Sequence, residues 1–124
     1  KNINKQTLVT IDERVALASE VLNHLDNVSV LPVTGLIVNF AEAQRATAIL
    51  RGLRAVSDFE FEFQLASMNR NLKPDIETLF MTPAEQYTHI SSSLVKEVAR
   101  FKGDVSMFLH PLVLERLQQK LAEA

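Results

Sequence analysis

Cysteine is absent from the 124 residues. That excludes a disulfide framework and any thiol nucleophile, and it makes a reducing compartment the natural setting. Histidine is scarce. His24, His89 and His110 lie far apart, with no metal-ligand spacing among them. No apolar run reaches the length needed to span a bilayer. The opening KNINKQTLVT has neither the apolar segment of a secretory signal nor an initiator methionine, so the chain reads as if something precedes it. Nor does one sign of charge dominate. Thirteen basic side chains against fifteen acidic ones leave a formal net charge of −2. This balance argues against a protein that wraps nucleic acid, but it leaves room for a small basic pocket around a phosphorylated ligand.

What is present is ordinary for a globular chain: 47% hydrophobic and 23% charged residues, enough for one domain over 1–124. Thr10 and Glu13 have capping-box spacing ahead of an apolar rhythm at Val15, Ala18, Val21, Leu22 and Leu25, which predicts a helix ended by Asp26-Asn27. Val28–Val33 is short and valine-rich and reads as a strand, with Pro32 near its end. Gly35 opens a helix that runs to about Arg45. Thr47–Leu50 reads as a buried strand, and Arg51 to Val56 as a strand end and loop. Ser57 or Asp58 can cap the next helix, which runs to about Asn71. After the Lys73-Pro74-Asp75 turn, Ile76–Met81 is a third strand, followed by a short helical turn from Thr82-Pro83. Ser91-Ser92-Ser93 opens a helix closed by Gly103, and His110-Pro111 introduces the last one. Strands alternating with helices at these distances predict an α/β fold with a parallel sheet and helices on both faces. In such folds ligands sit beyond the carboxyl ends of the strands.

Several residues are candidates for that position. In Arg51-Gly52-Leu53-Arg54, two guanidiniums flank a glycine. Arginine matches phosphate oxygens bidentately, and glycine admits close approach of backbone amides. The plainer reading is a pair of solvent-facing arginines. Ile90-Ser91-Ser92-Ser93 at a helix start offers N–H groups and hydroxyls to an anion, or is an ordinary serine cap. Glu62 could accept a hydrogen bond from a ribose or base, or belong with Asp58 and Glu60 to a solvated face. Lys5, by itself, reads as a solvated lysine. His89 is a weak candidate base without an oriented partner. His24 sits where a helix end mildly favours a cation, and His110 reads as a loop residue.

Taken together, Thr10–Leu17, Arg51–Glu60, Asn69-Arg70 and Ile90–Glu97 resemble the bacterial phosphopantetheine adenylyltransferases, and the resemblance runs along essentially all of the chain. The arginine loop with its acidic-aromatic tail is the most specific part. The serine motif is shared more widely among nucleotidyltransferases. The resemblance implies a Rossmann-like nucleotidyltransferase fold and transfer of AMP from ATP to 4'-phosphopantetheine, with Mg2+, in a cytoplasmic homohexamer without nucleic-acid or membrane partners. It implies that Lys5 and Arg54 are catalytic, Lys5 contacting the acceptor phosphate and the reacting phosphates, and that Lys5, Ile37 and Arg51 bind phosphopantetheine. It assigns Gly52, Leu53, Arg54, Glu62, Tyr87, Thr88, His89, Ile90, Ser91, Ser92 and Ser93 to ATP. The family opens with a strand, a glycine-phenylalanine-aspartate turn and a histidine-x-glycine-histidine motif. Nothing here matches these, so the expectation is a domain without its first βα unit that has almost no turnover as it stands and binds ligand only weakly. At His89 the family more usually has an aromatic side chain. Two rival readings remain: a related nucleotidyltransferase with another phosphorylated acceptor, and a non-catalytic ligand-binding or oligomerisation module whose partner would cover Phe59, Phe61 and Phe63.

Overall fold

The computed structural model describes residues 7–124, with the backbone alone at Val56 and Ser57. The expectation for Lys5 therefore falls outside the described residues. The chain divides into two compact units, Val33–Ile90 and the residues up to Pro32 together with Ser91–Ala124.

The first unit is a βαβ arrangement preceded by a helix. Gly35, at φ +80°, makes the turn into α1's successor in the chain, the helix Ile37–Ala43, here α2; α1 itself is Ile11–Val21 in the second unit. Val38 and Ala41, one turn apart on α2, are buried, and Val38 is wholly so. Burying a valine stabilises by roughly 1.5–3 kcal/mol relative to leaving it in water. The helix closes on a left-handed Arg45 (φ 56°), with Ala46 N–H donating to Ala41 O and Arg45 N–H to Glu42 O, both at 2.9 Å. These two bonds are those of a Schellman motif. Strand β1 is Ala48–Gly52, helix α3 Val56–Leu72 and strand β2 Glu77–Met81. The strands pair in parallel, with Arg51 opposite Phe80 and Gly52 opposite Met81. Leu53 N–H donates to Met81 O at 2.8 Å and extends the pairing one step beyond the strands. α3 packs against β2, and Ile49, Arg51, Thr78 and Phe80 are half-buried. Leu50, Leu79 and Met81, on alternate positions, are exposed.

The second unit joins α1 to α4 (Ser92–Arg100) and α5 (Pro111–Ala122) around Val95, Val105 and Leu117. The capping box is formed: Glu13 N–H donates to Thr10 Oγ1 at 3.2 Å, and Thr10 N–H donates to Glu13 Oε2 at 2.7 Å. The same Glu13 carboxylate pairs with Arg116 and, at 3.1 Å, with Lys120 Nζ, one turn apart on α5. Among the described residues no helix is long and apolar enough to cross a membrane.

Several expectations change. Val28–Val33 is not a strand: among the described residues the only ladder joins β1 and β2. Valine favours extended backbone, but Pro32 has no N–H to give to a ladder. Arg51 and Gly52 are the last two residues of β1, which runs past Leu50, consistent with the expected strand end. α3 has Ala55 as its N-cap, whose methyl side chain offers no acceptor, and the Asp58 carboxylate pairs with Arg54. The turn after β2 is a 3-10 segment at Glu85–Tyr87, beginning later than Pro83. At the end of α4 the left-handed residue is Lys102 (φ 61°), not Gly103. The glycine is needed for closeness instead, since a Cβ there would meet the Val98 side chain and lie 3.1 Å from the Val98 carbonyl oxygen. His110 is more than a loop residue, because its Nδ1 accepts from Leu112 N–H at 3.2 Å and caps α5.

The Glu13 cluster predicts an acid transition. Hydrogen bonding from Arg116, then from the Thr10 backbone and Lys120, holds the Glu13 carboxyl down from its ordinary 4.5 to about 2. A carboxyl lowered in the folded state contributes stability above its unfolded value and loses it as pH falls through the folded one. Glu13→Gln keeps a capping side chain and removes the charge. Thermal melts should show the variant less stable than the parent near neutral pH, with the gap closing below about pH 4. A gap that stays constant into acid would show that the charge is not what matters.

Candidate active site

β1 delivers Arg51 and Gly52 to the carboxyl end of the sheet, and the chain turns through Leu53-Arg54-Ala55 into α3. Open parallel sheets place ligands at this end. Two carboxylates on α3, one turn apart, meet the two arginines. Arg51 donates through Nε to Glu62 Oε2 at 2.8 Å and through an Nη2 hydrogen to Oε1 at 2.6 Å, a bidentate pair. Arg54 donates through Nε to Asp58 Oδ2 at 3.1 Å and through Nη1 to the Ile90 carbonyl at 2.8 Å. Its backbone N–H also reaches Asp58 Oδ2, at 3.3 Å. The Arg54 guanidinium thus ties the loop after β1 to the segment that follows β2.

The electrostatics follow from these contacts. The Arg51 hydrogen bond, with its charge, lowers the Glu62 carboxyl against the opposing effects of burial and of Asp58. Glu62 in turn raises Arg51. Arg54 lowers Asp58 in the same way. The Glu62 side chain is only 12% exposed, whereas Arg51 keeps 36% and Arg54 44% of theirs in solvent. Charged donors therefore face water while their counter-charges lie beneath them. Gly52 sits between them, and a Cβ placed on it would meet no atom within 4 Å. No packing within the described protein demands a glycine there, and the space above the backbone is open to a ligand.

The remaining candidates are placed as follows. In the first unit, Ile37 is half-buried on the first turn of α2. Tyr87 is 51% exposed in the 3-10 segment, followed by Thr88, His89 and Ile90. In the second unit, Ser91 is the N-cap of α4, its Oγ accepting from Leu94 N–H at 3.1 Å. Ser92 and Ser93 form the exposed first turn. Sequence reading overlooked the Asp58 partnership, although Arg54 and Asp58 stand four apart. It also overlooked the Arg51–Glu62 pair, which joins residues eleven apart and has no local signal.

No three His, Cys, Asp or Glu side chains among the described residues gather as a metal site. The carboxylates nearest the loop, Asp58 and Glu62, are already committed to arginines.

The cytidylyltransferase-like family model matches residues 1–98. The chain is 58% identical over 120 residues to the phosphopantetheine adenylyltransferase of Thiobacillus denitrificans, covering 97% of this chain and 75% of that one. It is 56% identical over 122 residues to the phosphopantetheine adenylyltransferase of Methylobacillus flagellatus, covering 98% and 76%. The relative from Nitrosomonas eutropha bears the same name and is 56% identical over 119 residues, covering 96% and 73%. Matches of this extent, on a chain that sets an arginine-glycine-leucine-arginine run at the carboxyl end of a parallel strand, mean that it belongs to the cytidylyltransferase-like family and, within it, to the phosphopantetheine adenylyltransferases.

Proposed function

We propose that the chain transfers AMP from ATP to 4'-phosphopantetheine, giving dephospho-CoA and pyrophosphate. One observation carries the site assignment: Arg51 and Arg54 present solvent-facing guanidiniums at the carboxyl end of β1, beside a glycine with open space above it. An oxygen of the acceptor phosphate attacks the α-phosphorus of ATP, and the bond from that phosphorus to the pyrophosphate oxygen breaks. The acceptor is already anionic, so it needs little help from a base. It needs positioning and relief of repulsion between two anions. Fixed cationic donors supply both. Arg51 serves the acceptor phosphate, with Ile37 along the pantetheine. Arg54 serves the nucleotide phosphates. The assignments of Lys5 to the reacting phosphates, and of Gly52, Leu53, Glu62 and residues 87–93 to ATP, rest on the sequence resemblance.

Magnesium does not fit a site made of this chain's carboxylates, since none of the described ones cluster for it. It would arrive on the phosphates of ATP, as is usual for a small, strongly hydrated cation. We place the enzyme in the cytoplasm, working as a homohexamer of single nucleotidyltransferase domains. The absence of cysteine and the exposure of Phe59, Phe61 and Phe63 support that placement. The family match covers the first unit and the second as far as residue 98, which supports treating them as one working domain.

The test is pyrophosphate release from ATP with phosphopantetheine, set against other phosphorylated acceptors at equal concentration. Phosphopantetheine should be used at least tenfold better than any other acceptor, which corresponds to about 1.4 kcal/mol. Equal or better use of another phosphate ester would overturn the acceptor assignment.

A further inference from the structure

We propose that Glu62 is the positioning residue of Arg51, fixing its guanidinium so that the edge turned away from Glu62 meets the anionic acceptor. This rests on the reaction proposed above. The geometry is specific. Glu62 takes the Nε hydrogen and one Nη2 hydrogen of Arg51, at 2.8 and 2.6 Å. The Nη1 hydrogens and the second Nη2 hydrogen remain for a ligand. A guanidinium is planar, so two bonds along one edge fix the plane and hence the direction of the free edge. Both ends of the pair are anchored. Arg51 is held in the ladder opposite Phe80, and Glu62 lies on the second turn of α3 with its side chain 12% exposed. An arginine reaching from a strand end would otherwise spread over many rotamers, and each substrate encounter would have to order it.

Two simpler roles give different outcomes. A bridge that only ties α3 to β1 would affect thermal stability and leave substrate use alone. A carboxylate that only touches the nucleotide would change the use of ATP and not of the acceptor. Kinetics with each substrate titrated in turn separates these roles, using Glu62→Gln, Glu62→Asp, Arg51→Ala and the Arg51→Ala/Glu62→Gln double variant. Calorimetric binding of phosphopantetheine, which needs no turnover, is measured on the same proteins.

Glu62→Gln should raise KM and Kd for phosphopantetheine roughly tenfold, the effect expected when a charge-assisted bond that orients the donor is lost. Glu62→Asp retains the charge and should recover most of that loss. In the Arg51→Ala background, Glu62→Gln should add less than about twofold, because there is no guanidinium left to position. The proposal is overturned if the Glu62 variants melt lower or use ATP less well while KM and Kd for phosphopantetheine stay within about twofold of the parent. Full additivity with Arg51→Ala overturns it too. All these variants are made in the complete enzyme, and a complete parent that neither binds nor turns over phosphopantetheine refutes the reaction itself. A parent that does both, with unresponsive Glu62 variants, refutes only the positioning role.

Discussion

Replacing Arg54 with alanine should lower kcat/KM for ATP roughly tenfold to a hundredfold, equivalent to about 1.5–3 kcal/mol for a hydrogen bond to a charged group. Arg54 spends its Nε and, at 3.4 Å, its Nη2 on Asp58 and one Nη1 hydrogen on the Ile90 carbonyl, but the side chain is still 44% exposed and keeps N–H groups that can face a phosphate. Removing it leaves Asp58 at 28% exposure, where water can solvate the carboxylate, so folding should change little. The loss should therefore fall on catalysis and not on the melting temperature. Arg54→Lys keeps a charge but not the planar fork, and should fall between the parent and alanine. His89→Ala is the internal comparison. Its proposed role is packing or stacking, so its effect should be far milder. Pyrophosphate release at varied ATP decides the matter. Full efficiency for ATP in Arg54→Ala would remove the phosphate clamp, and a large loss in His89→Ala would restore a histidine base.

What the sequence made legible was mostly local. Thr10 and Glu13 announced their capping box because both partners lie within one turn, and the structure closes both bonds. The apolar runs at Thr47–Leu50 and Ile76–Met81 marked strands that pair in parallel, because a stretch of helical rhythm between them leaves a crossover as the natural connection. The arginine-glycine-leucine-arginine run was visible as chemistry before its position was known. Its placement at the strand's carboxyl end follows from the βαβ order alone.

What was not legible depends on partners that local sequence does not contain. Val28–Val33 carries strand composition without a ladder among the described residues. Gly103 looked like the left-handed helix terminator, yet Lys102 takes that conformation and the glycine accommodates Val98. Tertiary closeness, invisible in a propensity, decided that position. Asp58 looked like a cap because aspartate early in a helix usually is one. An arginine four residues back offered its carboxylate a charged partner instead. Glu62 resembled its neighbours Asp58 and Glu60 in a charged run. Only the fold, bringing the second turn of α3 beside the end of β1, separates it from Glu60, which is exposed.

Arg51→Ala should mainly damage phosphopantetheine use, lowering kcat/KM for that substrate roughly tenfold to a hundredfold with ATP use changed only a few-fold. Unlike Arg54, Arg51 also has a structural duty, because its loss strands the Glu62 carboxylate at 12% exposure. Breaking a fully buried pair costs roughly 3–5 kcal/mol, but Arg51 is 36% exposed, so solvent screening should reduce the cost to about 1–2 kcal/mol. The sign of its pH dependence is fixed by the cause. In the parent, Arg51 holds the Glu62 carboxyl below its ordinary value. That contribution is present above the unfolded carboxyl's pKa and is lost as pH falls through the lower folded one. With Arg51 gone, burial and Asp58 both push Glu62 upward. The stability gap between parent and variant should therefore be widest near neutral pH and close in acid. Arg51→Lys separates the two duties: a single ammonium can still neutralise Glu62 but cannot offer a fork to both carboxylate and phosphate. It should recover most of the stability and only part of the phosphopantetheine efficiency. Melting curves across pH, paired with titration of each substrate, test both halves. Equal recovery of stability and of acceptor efficiency by lysine would mean that charge alone, and not an oriented guanidinium, is what the end of β1 supplies.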